Sequence, residues 1–243
     1  MGIEQPLVTT RIGRITLAVA PDVNLAWVYG VWERHVRARR THIAIVESPY
    51  GDGRRRVVVK VYRRRKAHGI LRRLLEDRAT HEARGYEAFA RRGLPTAPLL
   101  FWGRERRFGL FCAGLVATAH IEAEPIHAAY ARQPDERLID GAVDLLSAIH
   151  RAELCHGDPR LRNFLASRPV PTVIDLGSWS FMSPRSQVRD LTRLLGSAAA
   201  LPGAPPDMRA MLERYARTGP SLPCAAGRVL ALANRYHRER GAP

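Results

Sequence analysis

His156-Gly157-Asp158 is followed after four intervening residues by Asn163, and twelve residues beyond that by Asp175-Leu176-Gly177. These residue types at this spacing suit phosphoryl transfer. A carboxylate at Asp158 accepts or orients the proton of an attacking hydroxyl. Asn163 and Asp175 offer hard oxygen ligands to Mg²⁺ on the phosphates of a nucleotide such as ATP. Thr172-Val173-Ile174, a short apolar strand, delivers Asp175. A lone Asp or Asn in a polar loop carries no such meaning; the joint spacing does.

The same chemistry needs a Lys near the end of an apolar strand, to reach the α- and β-phosphates, and a helix Glu to hold that Lys. Val57-Val58-Val59-Lys60 supplies the strand and the ammonium. Only Lys60 and Lys66 are lysines among 39 basic residues. In a chain that writes Arg almost everywhere, Lys at this position is informative, because a compact ammonium and a planar guanidinium are not interchangeable between phosphates and a carboxylate. Glu76, Glu82 and Glu87 lie in the helical stretch from Leu71 to Arg92. Glu82 shares a face with Tyr86 and Phe89, four and seven residues on, and is the expected partner of Lys60. Its alternative is a solvated carboxylate paired with a nearby Arg. Asp190 reads either as a brace for the catalytic-loop backbone or as a solvated partner of Arg193, and His150 reads as a core histidine in preference to one that orients the loop.

The elements that must position these groups fall into two halves. Ile43–Val46 and Arg56–Tyr62 are apolar or β-branched runs joined by Ser48-Pro-Tyr-Gly-Asp-Gly53, which predicts a hairpin. Gly93-Leu94-Pro95 stops the helix that follows. Another strand falls within 110–121, and Glu122 to Pro125 breaks the pattern. The rest is predicted helical over 134–151, 184–199, 206–217 and 224–239, with Ser183-Pro184 a helix start. A β-rich half feeding a helical half, with a break near 118–125, predicts two lobes. No G-x-G-x-x-G precedes Lys60. The equivalent first hairpin turn is expected at Arg37–Thr41, read either as Arg or Thr side chains and backbone N–H groups that cover phosphates or as a solvated basic turn.

Net charge divides the same way. Of 243 residues, 39 are Lys or Arg and 23 Asp or Glu, a net of +16. Residues 1–110 carry +13 of it and residues 111–243 only +3. Such asymmetry points to an anionic partner, with Arg-rich codon usage as the plainer explanation. The composition excludes a disordered chain, a fibre and a disulfide miniprotein. Cys112, Cys155 and Cys224 are too far apart for a zinc motif or a disulfide framework, and the N-terminus has no signal-peptide pattern. A cytoplasmic location is expected.

With these residues in place, the chain resembles the bacterial lipopolysaccharide kinase family, which phosphorylates Kdo or heptose of the lipopolysaccharide inner core. The likeness runs from about Arg54 to Ala198 and includes Lys60 to Arg65, Arg78 to Glu82, Gly93-Leu-Pro95, Ala148-Ile-His150, His156 to Leu165, Val173 to Leu176 and Arg189 to Leu195. The resemblance implies an α+β, protein-kinase-like two-lobed fold: a small β-rich N-lobe with one key helix (1–118) and a mainly helical C-lobe (119–243). It implies ATP and Mg²⁺ as cofactors, with Asp158 and Asn163 catalytic, Lys60, Glu82 and Asp175 on the nucleotide, and Asn163 and Asp175 on the metal. It also implies an anionic sugar or glycolipid acceptor and peripheral contact with the inner membrane surface; with no zinc finger or other nucleic-acid signature and few aromatics, no nucleic-acid partner is expected.

Three other readings compete. An atypical Bud/RIO-like Ser/Thr protein kinase also uses a His-Gly-Asp loop, but Asp175 and Asp190 lie close together and no Ala-Pro-Glu follows, leaving little room for a peptide platform. A non-catalytic pseudokinase scaffold is opposed by the joint presence of all five site residues. An antibiotic kinase fits less well, because cationic substrates want an acidic helical lobe.

Overall fold

The computed structural model describes residues 6–37, 42–49, 55–63, 77–203 and 205–240. They form two compact units, one of residues 1–90 with 97–120 and one of residues 91–96 with 121–243.

The first unit is built on a six-stranded antiparallel sheet: β1 (Val8–Ile12), β2 (Ile15–Val19), β3 (Ile43–Ser48), β4 (Arg55–Arg63), β5 (Leu99–Arg107) and β6 (Leu110–Ala119), in the order β1-β2-β5-β6-β4-β3. Alternation along β4 decides its two faces. Val57, Val59 and Val61 are fully buried and pack with Val28, Val31, Trp32 and Val36 of helix α1 (Leu25–Val36). Lys60 therefore points to the other face. Helix α2 (Arg78–Arg91) meets it there through Glu82, on a buried stripe with Tyr86 and Phe89.

Helix α1 corrects the expected hairpin ahead of Ile43. A helix precedes Arg37, whose guanidinium pairs with Glu33 at 2.8 Å. Residues 38–41 lie outside the described residues, as do Glu76, Lys66 and the helix start expected at Leu71. The segment 25–36 hid its helix behind aromatic and β-branched residues, yet 28, 31, 32 and 36 repeat at helical spacing and Asn24 caps the start, accepting from the Trp27 N–H at 3.0 Å. The N-terminal region thus holds two helices among its described residues.

The second unit is mainly helical: α3 (Ile126–Arg132), α4 (Glu136–Arg151), α5 (Pro184–Ala199), α6 (Met208–Thr218) and α7 (Ala226–Arg240). Short strands β7 (Leu154–Cys155), β8 (Phe164–Leu165), β9 (Thr172–Val173) and β10 (Ser180–Phe181), with a 3-10 turn at Leu161–Asn163, carry the loops between α4 and α5. Helix α4 buries Ile139, Val143, Leu146 and Ile149, a three-and-four spacing that gives it one apolar face. Arg214 of α6 binds Asp144 of α4 through two nitrogens, at 2.8 and 2.6 Å, joining the two helices.

Helix α5 starts with a reciprocal cap. Ser183 Oγ accepts from the Ser186 N–H at 3.2 Å, and Ser186 Oγ accepts from the Ser183 N–H at 2.8 Å. Cys155 Sγ donates to the same Ser186 hydroxyl at 3.3 Å, so the cap ties α5 to β7, immediately before His156. Ser183→Ala is expected to cost about 1 kcal/mol and to lower the melting temperature by about 2–4 °C, read by calorimetry. An unchanged melting temperature would refute the cap.

Candidate active site

The loop from His156 to Asn163 is shaped by groups that the chain brings to it from afar. Gly157 adopts φ +83°, and a Cβ there would lie 1.8 Å from the Ser178 carbonyl oxygen. Only glycine fits, for both backbone and space. Its N–H donates to both carboxylate oxygens of Asp190 at 3.1 Å, and its carbonyl accepts from Arg193. Asp190 is fully buried on α5 and faces His150 Nε2 at 3.6 Å. The brace reading of Asp190 therefore holds. Arg193, its supposed solvated partner, instead serves Gly157 and lies 3.7 Å from Asp158.

His156 is fully buried, stacked on Phe164, and burial drives its pKa down. Neutral, it donates from Nε2 to the Ile174 carbonyl at 3.1 Å and accepts at Nδ1 from the Asp158 N–H at 3.3 Å. One imidazole thus pins Asp158 to the strand that leads into Asp175. The Ile174 N–H returns to the Asn163 carbonyl at 3.0 Å, closing the loop on that strand. Asp175 itself takes φ +61°, a left-handed conformation in which a non-glycine residue is strained.

Asn163 donates from Nδ2 to the Asp158 carbonyl at 2.8 Å and lies 3.5 Å from its carboxylate. Its amide oxygen is not used in that bond. Arg160 clasps the Asp158 carboxylate directly. Neither Arg160 nor Arg193 was singled out as a loop residue from sequence; the signal was there in Arg160, two residues after Asp158 inside the motif.

Lys60 and Glu82 meet in the first unit, Nζ to Oε1 at 3.3 Å, with Glu82 only 2% exposed in its side chain and Lys60 23%. Lys60 also sits 5.3 Å from the Tyr62 ring centroid. Ile43 and Ile45 of the edge strand β3 pair with Lys60 and Val58, and so share that sheet face with their side chains exposed. Asp158, Asn163 and Asp175 belong to the second unit. The sequence-based pairing of Lys60 with Glu82 has a geometric counterpart in the first unit.

Behind the loop, His150, Cys155 and Asp190 place ligand-type atoms within 4.8 Å of one another, a grouping not visible in the cysteine spacing. Their neighbours account for them as a brace. Gln187 Nε2 donates to the Tyr215 hydroxyl at 2.9 Å, which lies 2.7 Å from His150 Nδ1. Burial holds Tyr215 and Cys155 protonated, with pKa values pushed up to about 12 and about 11.

A β-sheet unit with a Lys–Glu pair and a helical unit with this loop define the protein-kinase-like fold, and the fold comparisons agree. The structure of WaaP in complex with acyl carrier protein matches with a TM-score of 0.60 at 20% identity, over 87% of this chain and 92% of that one. An aminoglycoside-3'-phosphotransferase of type VIII matches with a TM-score of 0.62 at 15% identity, over 87% and 97%. A divergent kinase lacking the glycine-rich loop, from Toxoplasma, matches with a TM-score of 0.50 at 14% identity, over 91% and 82%. No curated protein matches the chain in sequence. The lipopolysaccharide kinase (Kdo/WaaP) family model matches residues 30–215, and the chain belongs to that family. It is a phosphotransferase.

Gly157→Ala is expected to distort the loop or unfold it. The variant should lose phosphotransfer at least about 100-fold and melt lower, measured by turnover and calorimetry on the same preparation. Wild-type turnover in Gly157→Ala would show that the loop has no such constraint.

Proposed function

We propose that this enzyme transfers the γ-phosphate of ATP to a hydroxyl of an inner-core sugar, Kdo or heptose, at the cytoplasmic side of the membrane. One observation carries the reading. Asp158 is held on a largely buried loop by His156, Asn163 and Arg160, with its side chain still 18% exposed. That is the geometry of a group which orients a hydroxyl and takes its proton.

The remaining residues suit the cofactors. Lys60, fixed by buried Glu82, would bind the α- and β-phosphates of ATP, and the exposed Ile43 and Ile45 on the same sheet face would lie against the apolar base. Asn163 and Asp175 would hold Mg²⁺; both donors are oxygens, as a hard cation requires. The metal held there would supply positive charge to offset that developing on the phosphates. Arg160 adds a fixed positive charge beside Asp158, where the transferred group gathers negative charge. The family supports a sugar as acceptor. A formal +13 on residues 1–110 favours contact with an acidic membrane surface, and no helix among the described residues is long and apolar enough to cross a membrane.

Asp158→Asn should lower kcat about 10²–10⁴-fold while ATP–Mg²⁺ still raises the melting temperature. Asp175→Ala should abolish that Mg²⁺-dependent shift. Equal turnover in wild type and Asp158→Asn would sink the assignment. For the acceptor, loss of core phosphate in a deletion strain, read by mass spectrometry, is the expected outcome, and unchanged phosphate excludes an inner-core sugar. Binding to anionic vesicles should weaken as salt rises from about 0.05 to about 0.5 M, because screening shortens the reach of surface charge; salt-independent binding would remove the electrostatic contact.

A further inference from the structure

The helical unit contains a cavity of about 420 Å³ next to the loop of Asp158. Its wall takes His127 from α3, Arg160 and Arg162 from the turn after Asp158, Ser197 from α5, and Tyr236 and His237 from α7. The volume suits a small ligand. Two arginines and two histidines line it, and no acidic residue belongs to its lining among the described residues.

Two polar atoms of this wall are buried with no hydrogen-bond partner among the described residues: Arg160 Nε and His237 Nδ1. Buried polar groups are costly when unpaired, so two such atoms within residues that line one cavity leave bonding capacity there for a ligand to complete. Arg160 Nε can only donate, which calls for an acceptor oxygen. Arg160 is also the residue that holds the Asp158 carboxylate, so a molecule bonded to it lies beside the reacting group.

Helix α7 reaches this wall by close approach. At Gly196 of α5, a Cβ would lie 2.7 Å from Tyr236 Cδ1 and 3.0 Å from the Ala233 carbonyl oxygen, so the bare backbone there seats α7. The family match ends at residue 215, and α7, Ala226–Arg240, lies wholly beyond it. The catalytic loop is family property, whereas this part of the wall is not within the matched segment.

We propose that this cavity is the acceptor pocket, and that Arg162, with His127 and the α7 residue His237, reads an anionic group on the sugar and so sets specificity. The inference rests on the phosphotransferase reading above and adds which side chains select the acceptor. Tyr236 offers its ring to the apolar face of the sugar, as amphipathic aromatics do. The shared ligand chemistry is a sugar bearing a carboxylate or a phosphate.

Two pairs of probes test it with the full chain: Kdo against its methyl ester, and mannose 6-phosphate against mannose. Binding is read by calorimetry in the presence of ATP–Mg²⁺ analogue, and ATP–Mg²⁺ binding to wild type is measured alone as a separate control. The expected result is that one anionic probe binds at least about tenfold tighter than its neutral counterpart; the pair that discriminates identifies carboxylate or phosphate as the group read. Arg162→Gln and His237→Gln should each reduce that ratio at least threefold and, with a turned-over acceptor, raise KM more than they lower kcat. Arg162 is exposed, so its variant keeps the test open if His237→Gln fails to fold. Equal affinity for charged and neutral probes, absence of binding by all four, or a ratio unchanged in both variants overturns the pocket. Failure of wild type to bind ATP–Mg²⁺ overturns the kinase reading instead.

Discussion

The catalytic loop depends on one buried carboxylate. Asp190 is fully enclosed on α5 and accepts the Gly157 N–H with both oxygens, 33 residues away in sequence. A buried charge is expensive unless its lone pairs are met, so the carboxylate specifies what must surround it. Gly157, His150 Nε2 at 3.6 Å and Arg189 Nε at 3.7 Å supply that surrounding. Gly157 in turn must be glycine, since the Ser178 carbonyl fills the place of a Cβ. Once Gly157 is fixed, its neighbours His156 and Asp158 have no freedom to wander.

From that point the loop closes by short steps. His156 bonds forward to Asp158 and across to Ile174, and Asn163 bonds back to the Asp158 carbonyl. Each bond uses a group that burial would otherwise leave unpaired. Asp158 is thereby held without being enclosed, a state in which a carboxylate can meet a hydroxyl. In the sheet unit, a smaller version of the same logic holds. Glu82 is buried, and Lys60 answers its charge while keeping part of its own surface open.

The distribution of charge acquires different meanings at different scales. The excess on residues 1–110 is a bulk property of a chain rich in Arg. Arg160, Arg162 and Arg193 in the second unit are local: one grips Asp158, one lines the cavity and one caps Gly157. A half with a formal net charge of only +3 therefore presents a concentrated positive wall, because its acidic residues are spent elsewhere, such as Asp144 and Asp140 on Arg214.

By itself the sequence determined the things that are local in the chain. The spacing from His156 to Asn163, the start of α5 at Ser183-Pro184 and the stripe of Glu82, Tyr86 and Phe89 are set within one loop or a few helical turns, where residue type and period suffice. Helix α1 and strand β5 were not legible. The helix is written in strand-like residue types, and Arg104 to Arg107 give β5 the composition of a solvated loop until β2 and β6 flank it. Only the tertiary structure decided between a brace and a surface ion pair for Asp190, and only it collected residues 127, 160, 162, 197, 236 and 237 around one cavity. Those outcomes hang on helix packing, where a missing Cβ at Gly196 or Gly157 sets the approach of distant segments, and no periodicity along the chain encodes which segments those are.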